Sequence, residues 1–95
     1  MKHCIIAKFG DVVTDKKAAT EAVRALFAAA APVEGVKNIV IHENCVARDN
    51  RYDLMIVVEM PKDALGAWDA SEIHHQWKAQ FGGMLAAKAI FDYED

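Results

Sequence analysis

The stretch SEIHHQW, residues 71 to 77, sets two of the chain's four histidines side by side between a glutamate and a tryptophan. Imidazole, with an ordinary pKa of about 6.5, is the side chain best suited to take and return a proton near neutral pH. Neighbours on a helix point about 100° apart, so the two rings cannot serve one point. His74 shares a helix face with Ile73 and Trp77 and turns inward, while His75 lies beside Gln76 and Lys78 and turns to solvent. His74 is then either an acid/base at a cavity wall or a hydrogen-bonded histidine of the core. His3, in the opening segment KHCIIAKF, has the same two readings: a second imidazole on the cavity floor, or a residue at a strand end. A ligand between helices and sheet would meet Trp68, Trp77, Ile5 and Phe27, all as readily core as contact.

Other chemistries have less behind them. Zinc needs three or four converging ligands, and His3, His42, His74, His75, Cys4 and Cys45 show no His-x-x-x-His or Cys-x-x-Cys spacing. No metal or organic cofactor is expected. Cys4 and Cys45 fall in segments of different kind and read as reduced thiols. Glu72 sits where a helix dipole favours a carboxylate and needs no other role.

With 95 residues the sequence is one domain, 1–95, so any site must be built within one core or between copies. A net charge of -3 offers no field for phosphates, and no Lys/Arg cluster is interleaved with aromatics, which excludes nucleic acid as the expected partner. The opening MKHCIIAKFGD lacks the length and cleavage site of a secretory signal. The apolar run ALFAAAAPV is far shorter than the ~20 residues of a membrane helix, so a cytoplasmic protein without membrane contact is expected. A hydrophobic fraction of 54% is high for a soluble chain and points to an additional buried surface.

The elements that must position the histidines follow from periodicity. Residues 2 to 9 alternate as a strand. Thr14 or Asp15 then caps a helix whose apolar stripe is Ala19, Ala22, Val23, Leu26, Phe27 and Ala30, stopped by Pro32 and Gly35. VKNIVIHE (36–43) and YDLMIVVEM (52–60) are further strands, joined by the loop 44–51. Pro61 and Asp63 open a second helical region with Leu65 and Trp68, and Ser71 recaps a helix carrying Ile73, His74, Trp77, Phe81 and Met84 on one face. Gly82 and Gly83 weaken its end, and AAKAIFDYE (86–94) closes the chain as a fourth strand.

The order βαββαβ predicts an α+β, ferredoxin-like sandwich with both helical regions on one face of an antiparallel sheet. The other face should then be polar, yet the third strand is apolar on both sides, as is the first through Cys4 and Ile6 and the second through Ile39 and Ile41. An exposed apolar sheet of that size marks an interface, and a homodimer packed through the sheet face would bury it.

From end to end the chain resembles the stress-responsive dimeric α/β barrel (Dabb) family. The resemblance is carried, in order, by KHCIIAKF, PVEGVKNIVIHEN, YDLMIVVEM, IHHQW and IFDYE. It implies a ferredoxin-like protomer whose homodimer closes a barrel. Some members of the family resemble polyketide cyclases, related dimeric barrels include cofactor-independent monooxygenases, and many members are stress-associated proteins. In the cyclase-like members a histidine of a His-Pro-Ala-His type stretch acts as acid/base beside a tyrosine six residues earlier. SEIH occupies that stretch here, so His74 matches the second histidine and Trp68 stands in the tyrosine's place. His3 matches a first-strand histidine near the cyclase cavity, and Leu54 replaces another on the third strand. The expected function is binding of a small apolar or aromatic molecule, with proton transfer by His74 and His3. The alternatives are a non-catalytic structural dimer and a cofactor-independent monooxygenase.

Overall fold

The computed structural model describes all 95 residues. Strand β1 (Lys2–Phe9) leads to helix α1 (Lys16–Ala28), β2 (Asn38–Glu43) and β3 (Leu54–Glu59). Helices α2 (Leu65–Ala70) and α3 (Glu72–Phe81) follow, and β4 (Leu85–Tyr93) ends the sheet. The four strands lie in the order β2-β3-β1-β4 with every neighbouring pair antiparallel, the ferredoxin-like arrangement expected from the element order.

Local chemistry sets the helix ends. The Asp15 carboxylate accepts from Ala18 N–H at 3.0 Å and starts α1, which stops at Ala28, short of Ala30. Its buried stripe is Thr20, Val23 and Phe27, and Ala22 lies in solvent rather than in the core. Arg24 reaches from α1 to the Ile41 carbonyl at 2.8 Å and ties the helix to β2. Gly35 adopts φ +84 in the turn that follows, so β2 begins at Asn38 rather than Val36. Asp53, ahead of β3, accepts from Phe9 N–H at 2.7 Å and pairs with Lys16 at 3.1 Å, which pins the β2–β3 connection to the end of β1.

The second helical region breaks in two because Ser71 is extended, with φ -70 and ψ 152. Its hydroxyl donates to the Trp68 carbonyl at 2.6 Å, closing α2, and accepts from His74 N–H at 3.2 Å, opening α3. α3 ends at Phe81, so Met84 falls in the turn after it and is exposed, not on the helix stripe.

The helices cover one sheet face. Ile5, Ala7, Phe9, Leu54, Ile56, Val58 and Ile41 pack beneath Val23, Phe27, Trp68, Ile73, Trp77 and Phe81. Phe27 and Trp77 lie 6.0 Å apart and Trp77 and Phe81 5.5 Å, an aromatic seam that joins α1 to α3. Truncating Trp77 to Ala should cost roughly 3–5 kcal/mol.

The opposite face carries a cross-strand row of Val40, Val57, Cys4 and Phe91, and beside it Met55, Ile6 and Ala89. It is apolar, but through Val40 in β2 and not through Ile39 and Ile41. Those two stand opposite Val58 and Ile56 on the helix-covered side, because one step along a strand exchanges faces. Lys2 and Glu59, 3.1 Å apart, border the patch at one end. Cys4 is buried within it, and burial pushes its thiol pKa up, which keeps it protonated and inert.

Candidate functional site

The helix layer does not extend over β4. Ile90 stands directly opposite Ile5 on the helix-facing side, yet Ile90 is 50% exposed where Ile5 is 1%. Lys88 and Asp92 occupy the same face of β4 and are also exposed. An open strip therefore runs along β4, beside the helix layer.

Two imidazoles border this region, and Trp68 packs against both. The Trp68 ring centroid lies 6.3 Å from that of His3 and 5.6 Å from that of His74. Trp68 is held in turn by Phe27, stacked at 6.4 Å, and is completely buried.

His3 is buried on β1, and antiparallel pairing places Asp92 of β4 directly opposite. Its Nδ1 and Asp92 Oδ1 are 2.5 Å apart. A carboxylate there holds the proton on Nδ1 and leaves Nε2 as the ring's second site, the arrangement by which an orienting carboxylate fixes a tautomer. His74 is half-buried, and its Nδ1 lies 3.1 Å from the Asp69 carbonyl oxygen. A carbonyl only accepts, so Nδ1 carries the hydrogen and a neutral His74 presents Nε2 as a base. Burial lowers the His74 pKa, the Asp69 carbonyl partly opposes this, the charge of Lys78 lowers it further, and the Asp69 carboxylate and Lys88 act in opposite directions, raising and lowering it. His74 is accordingly neutral at pH 7. His75 is exposed.

The remaining candidates are divided. Trp68 belongs to the cluster. Ile5 and Phe27 touch its underside but are sealed in the core, and Trp77 is buried in the seam with Phe81. Asp92 has no site role in the reading of the sequence, where with Tyr93 it is only a pair of strand residues. Its signal lies in register: His3 near the start of one strand and Asp92 near the end of another can meet only if those strands are antiparallel neighbours.

A cleft of about 270 Å³, lined by Met1, Lys62, Asp92, Tyr93 and Glu94, adjoins the His3–Asp92 pair. A larger one of about 630 Å³ lies at the opposite end of β1, around Lys8, Lys16, Arg48, Arg51 and Asp53. No histidine lines either cleft; in the larger one Lys16 and Asp53 are paired with each other, while the smaller one touches the imidazole cluster through Asp92, the partner of His3. No three His, Cys, Asp or Glu side chains converge as a metal site, and no helix is long and apolar enough to cross a membrane.

No family model matches the sequence, and the search of curated proteins finds no match. Solved structures do match. A dimeric ferredoxin-like protein of unknown function from Thermobifida fusca superposes with a TM-score of 0.79 at 21% identity, covering 99% of this chain and 89% of that one. A Dabb family protein with a ferredoxin-like fold from Mesorhizobium loti gives 0.72 at 9% identity, covering 99% and 94%. A hydroxynitrile lyase from Passiflora edulis gives 0.71 at 9% identity, covering 97% and 89%. The chain has the ferredoxin-like fold of these structures.

Proposed function

We propose that the protein is a homodimer, joined through its open sheet face, that binds a small apolar or aromatic molecule at the strip between β4 and the α2–α3 junction. His74 and His3 then move a proton on the bound molecule. The observation that carries this reading is the packing of two imidazoles, each with Nδ1 already engaged, against one buried indole beside an uncovered stretch of sheet. Rings held in this way have one nitrogen each left for a ligand, and a neutral His74 is in the form a general base requires.

The dimer is supported by the apolar row Val40, Val57, Cys4 and Phe91, in which Phe91 is 61% exposed in the isolated chain. The Thermobifida fusca neighbour is described as dimeric, which is in keeping with this. The hydroxynitrile lyase is a case of the same fold serving an enzyme of small molecules. That likeness bears on the scaffold and not on the reaction.

His74→Ala tests the reading. Aromatic probes are titrated into both proteins by NMR while melting is followed in parallel. Lost binding with melting little changed supports the site. A large loss of stability with binding unaffected supports instead a structural dimer, the reading favoured by the closure of Ile5, Phe27 and Trp77 into a solid core.

A further inference from the structure

We infer that the molecule bound beside His74 carries a hydrogen-bond-accepting carbonyl oxygen on a planar apolar body, as in an aryl ketone, and that Trp68 Nε1–H is the donor that receives it. This rests on the small-molecule reading above and narrows the ligand class.

Trp68 Nε1 is buried and finds no acceptor in the protein, the single buried side-chain polar atom in that condition. Others are matched: Thr20 Oγ1 donates to the Lys16 carbonyl at 2.9 Å, and His3 is bonded to Asp92. A buried donor without an acceptor is unfavourable, and packing does not require it, since Phe fills much of the same space without the N–H. Neither neighbouring imidazole supplies the acceptor: each keeps Nε2 as an accepting atom, but neither ring is hydrogen-bonded to the indole. An oxygen arriving with the ligand satisfies the orphan and is fixed within reach of the His74 ring.

The surroundings restrict what can carry that oxygen. Ile90, exposed on β4, and the indole once His74 has moved off it favour a flat apolar body, while Lys88 favours partial negative charge on the acceptor. Entry requires a covering side chain to move. Of the three rings packed on Trp68, His3 and Phe27 are buried and only His74 is part-exposed, held by one hydrogen bond through its ring. His74 is then both the gate and the neighbouring base.

The test uses acetophenone and isopropenylbenzene, which share shape and differ by an oxygen in place of a methylene. Wild-type protein with ¹⁵N-labelled tryptophans is titrated with each, and Trp68→Phe assigns the indole resonance. We expect acetophenone to bind about fivefold to tenfold more tightly than the hydrocarbon, the yield of one hydrogen bond, and to move the Trp68 indole proton downfield. Trp68→Phe should bind both probes alike. Equal binding of the two probes to wild type with the indole resonance unmoved overturns the inference and leaves the small-molecule reading standing. Failure of both probes to bind at millimolar concentration overturns the two together. The wild-type shift gives the answer even if the variant folds poorly.

Discussion

His3 and Asp92, 89 positions apart in sequence, meet across neighbouring strands with Nδ1 and Oδ1 2.5 Å from each other. The imidazole side is buried and the carboxylate side chain is 39% exposed, so solvent screens the pair from one side only. A charge-assisted hydrogen bond is worth roughly 1.5–3 kcal/mol, and part-exposure reduces this to about 1 kcal/mol. Asp92→Asn should therefore lower stability by about that amount in urea denaturation, while Asp92→Leu, which leaves Nδ1–H without a partner, should cost more. If Asp92 positions the ring, ¹⁵N spectra of the His3 imidazole should show Nδ1 protonated in wild type and a mixture of tautomers in Asp92→Leu. Unchanged tautomers would leave Asp92 with no positioning role.

The open sheet face gives a second expectation. Val57 lies on the central strand β3, directly opposite both Cys4 and Val40. A charge placed there enters a dimer interface twice, once from each copy, at a cost of about 3 kcal/mol or more for each unpaired buried ion. Val57→Glu should run as a monomer in light scattering at micromolar concentration, where wild type shows twice the chain mass. A wild-type monomer under those conditions would refute the dimer outright.

The strands were legible because alternation is a strong local signal. In β3 the residues Leu54, Ile56 and Val58 are all buried and Met55, Val57 and Glu59 only partly so, as period two requires. Register is a different matter. Nothing local in the sequence tells that Asp92 faces His3, or that Val40, and not Ile39 and Ile41, joins the outer row, because pairing depends on how distant strands align. The inward turn of His74 was readable from its helix position. Its neutral state was not, since that depends first on burial in the folded protein and, in smaller part, on charges that include Lys88 of the distant strand β4. Ile5, Phe27 and Trp77 looked like ligand contacts for the reason that they are core: a cavity wall and a packed interior draw on the same residue types.

The His74 pKa predicts how stability should depend on pH. An unfolded histidine titrates near 6.5, and burial lowers the folded value. The unfolded chain then takes up its proton first as pH falls. Stability associated with neutral His74 is complete above about 6.5 and is lost as pH descends through the folded value. His74→Gln should flatten this part of the profile, so its urea midpoint should change less than that of wild type between pH 7.5 and pH 5. A variant as pH-sensitive as wild type would place the His74 ring in water, as His75 is.

Glycine-to-alanine substitutions should have opposite signs at two positions flanking the site. Gly66, in α2, has nothing within 4 Å of where a Cβ would stand, so Gly66→Ala should gain about 0.5–1 kcal/mol through helix propensity. At Gly35 the backbone φ is +84, and an added Cβ would fall 2.6 Å from the Ala64 Cβ. The left-handed backbone costs an L-residue about 1–2 kcal/mol, and relieving the overlap costs more, so Gly35→Ala should lose at least about 2 kcal/mol. Ala64 immediately precedes α2, and any shift that makes room is passed to the helix that holds Trp68. The two contributions can be separated by a double-mutant cycle with Ala64→Gly. That change removes the overlap and leaves φ as it is, so Gly35→Ala should cost less in the Ala64→Gly background, by the part due to contact. Equal costs in both backgrounds would assign the whole penalty to the backbone, and α2 should then keep its place.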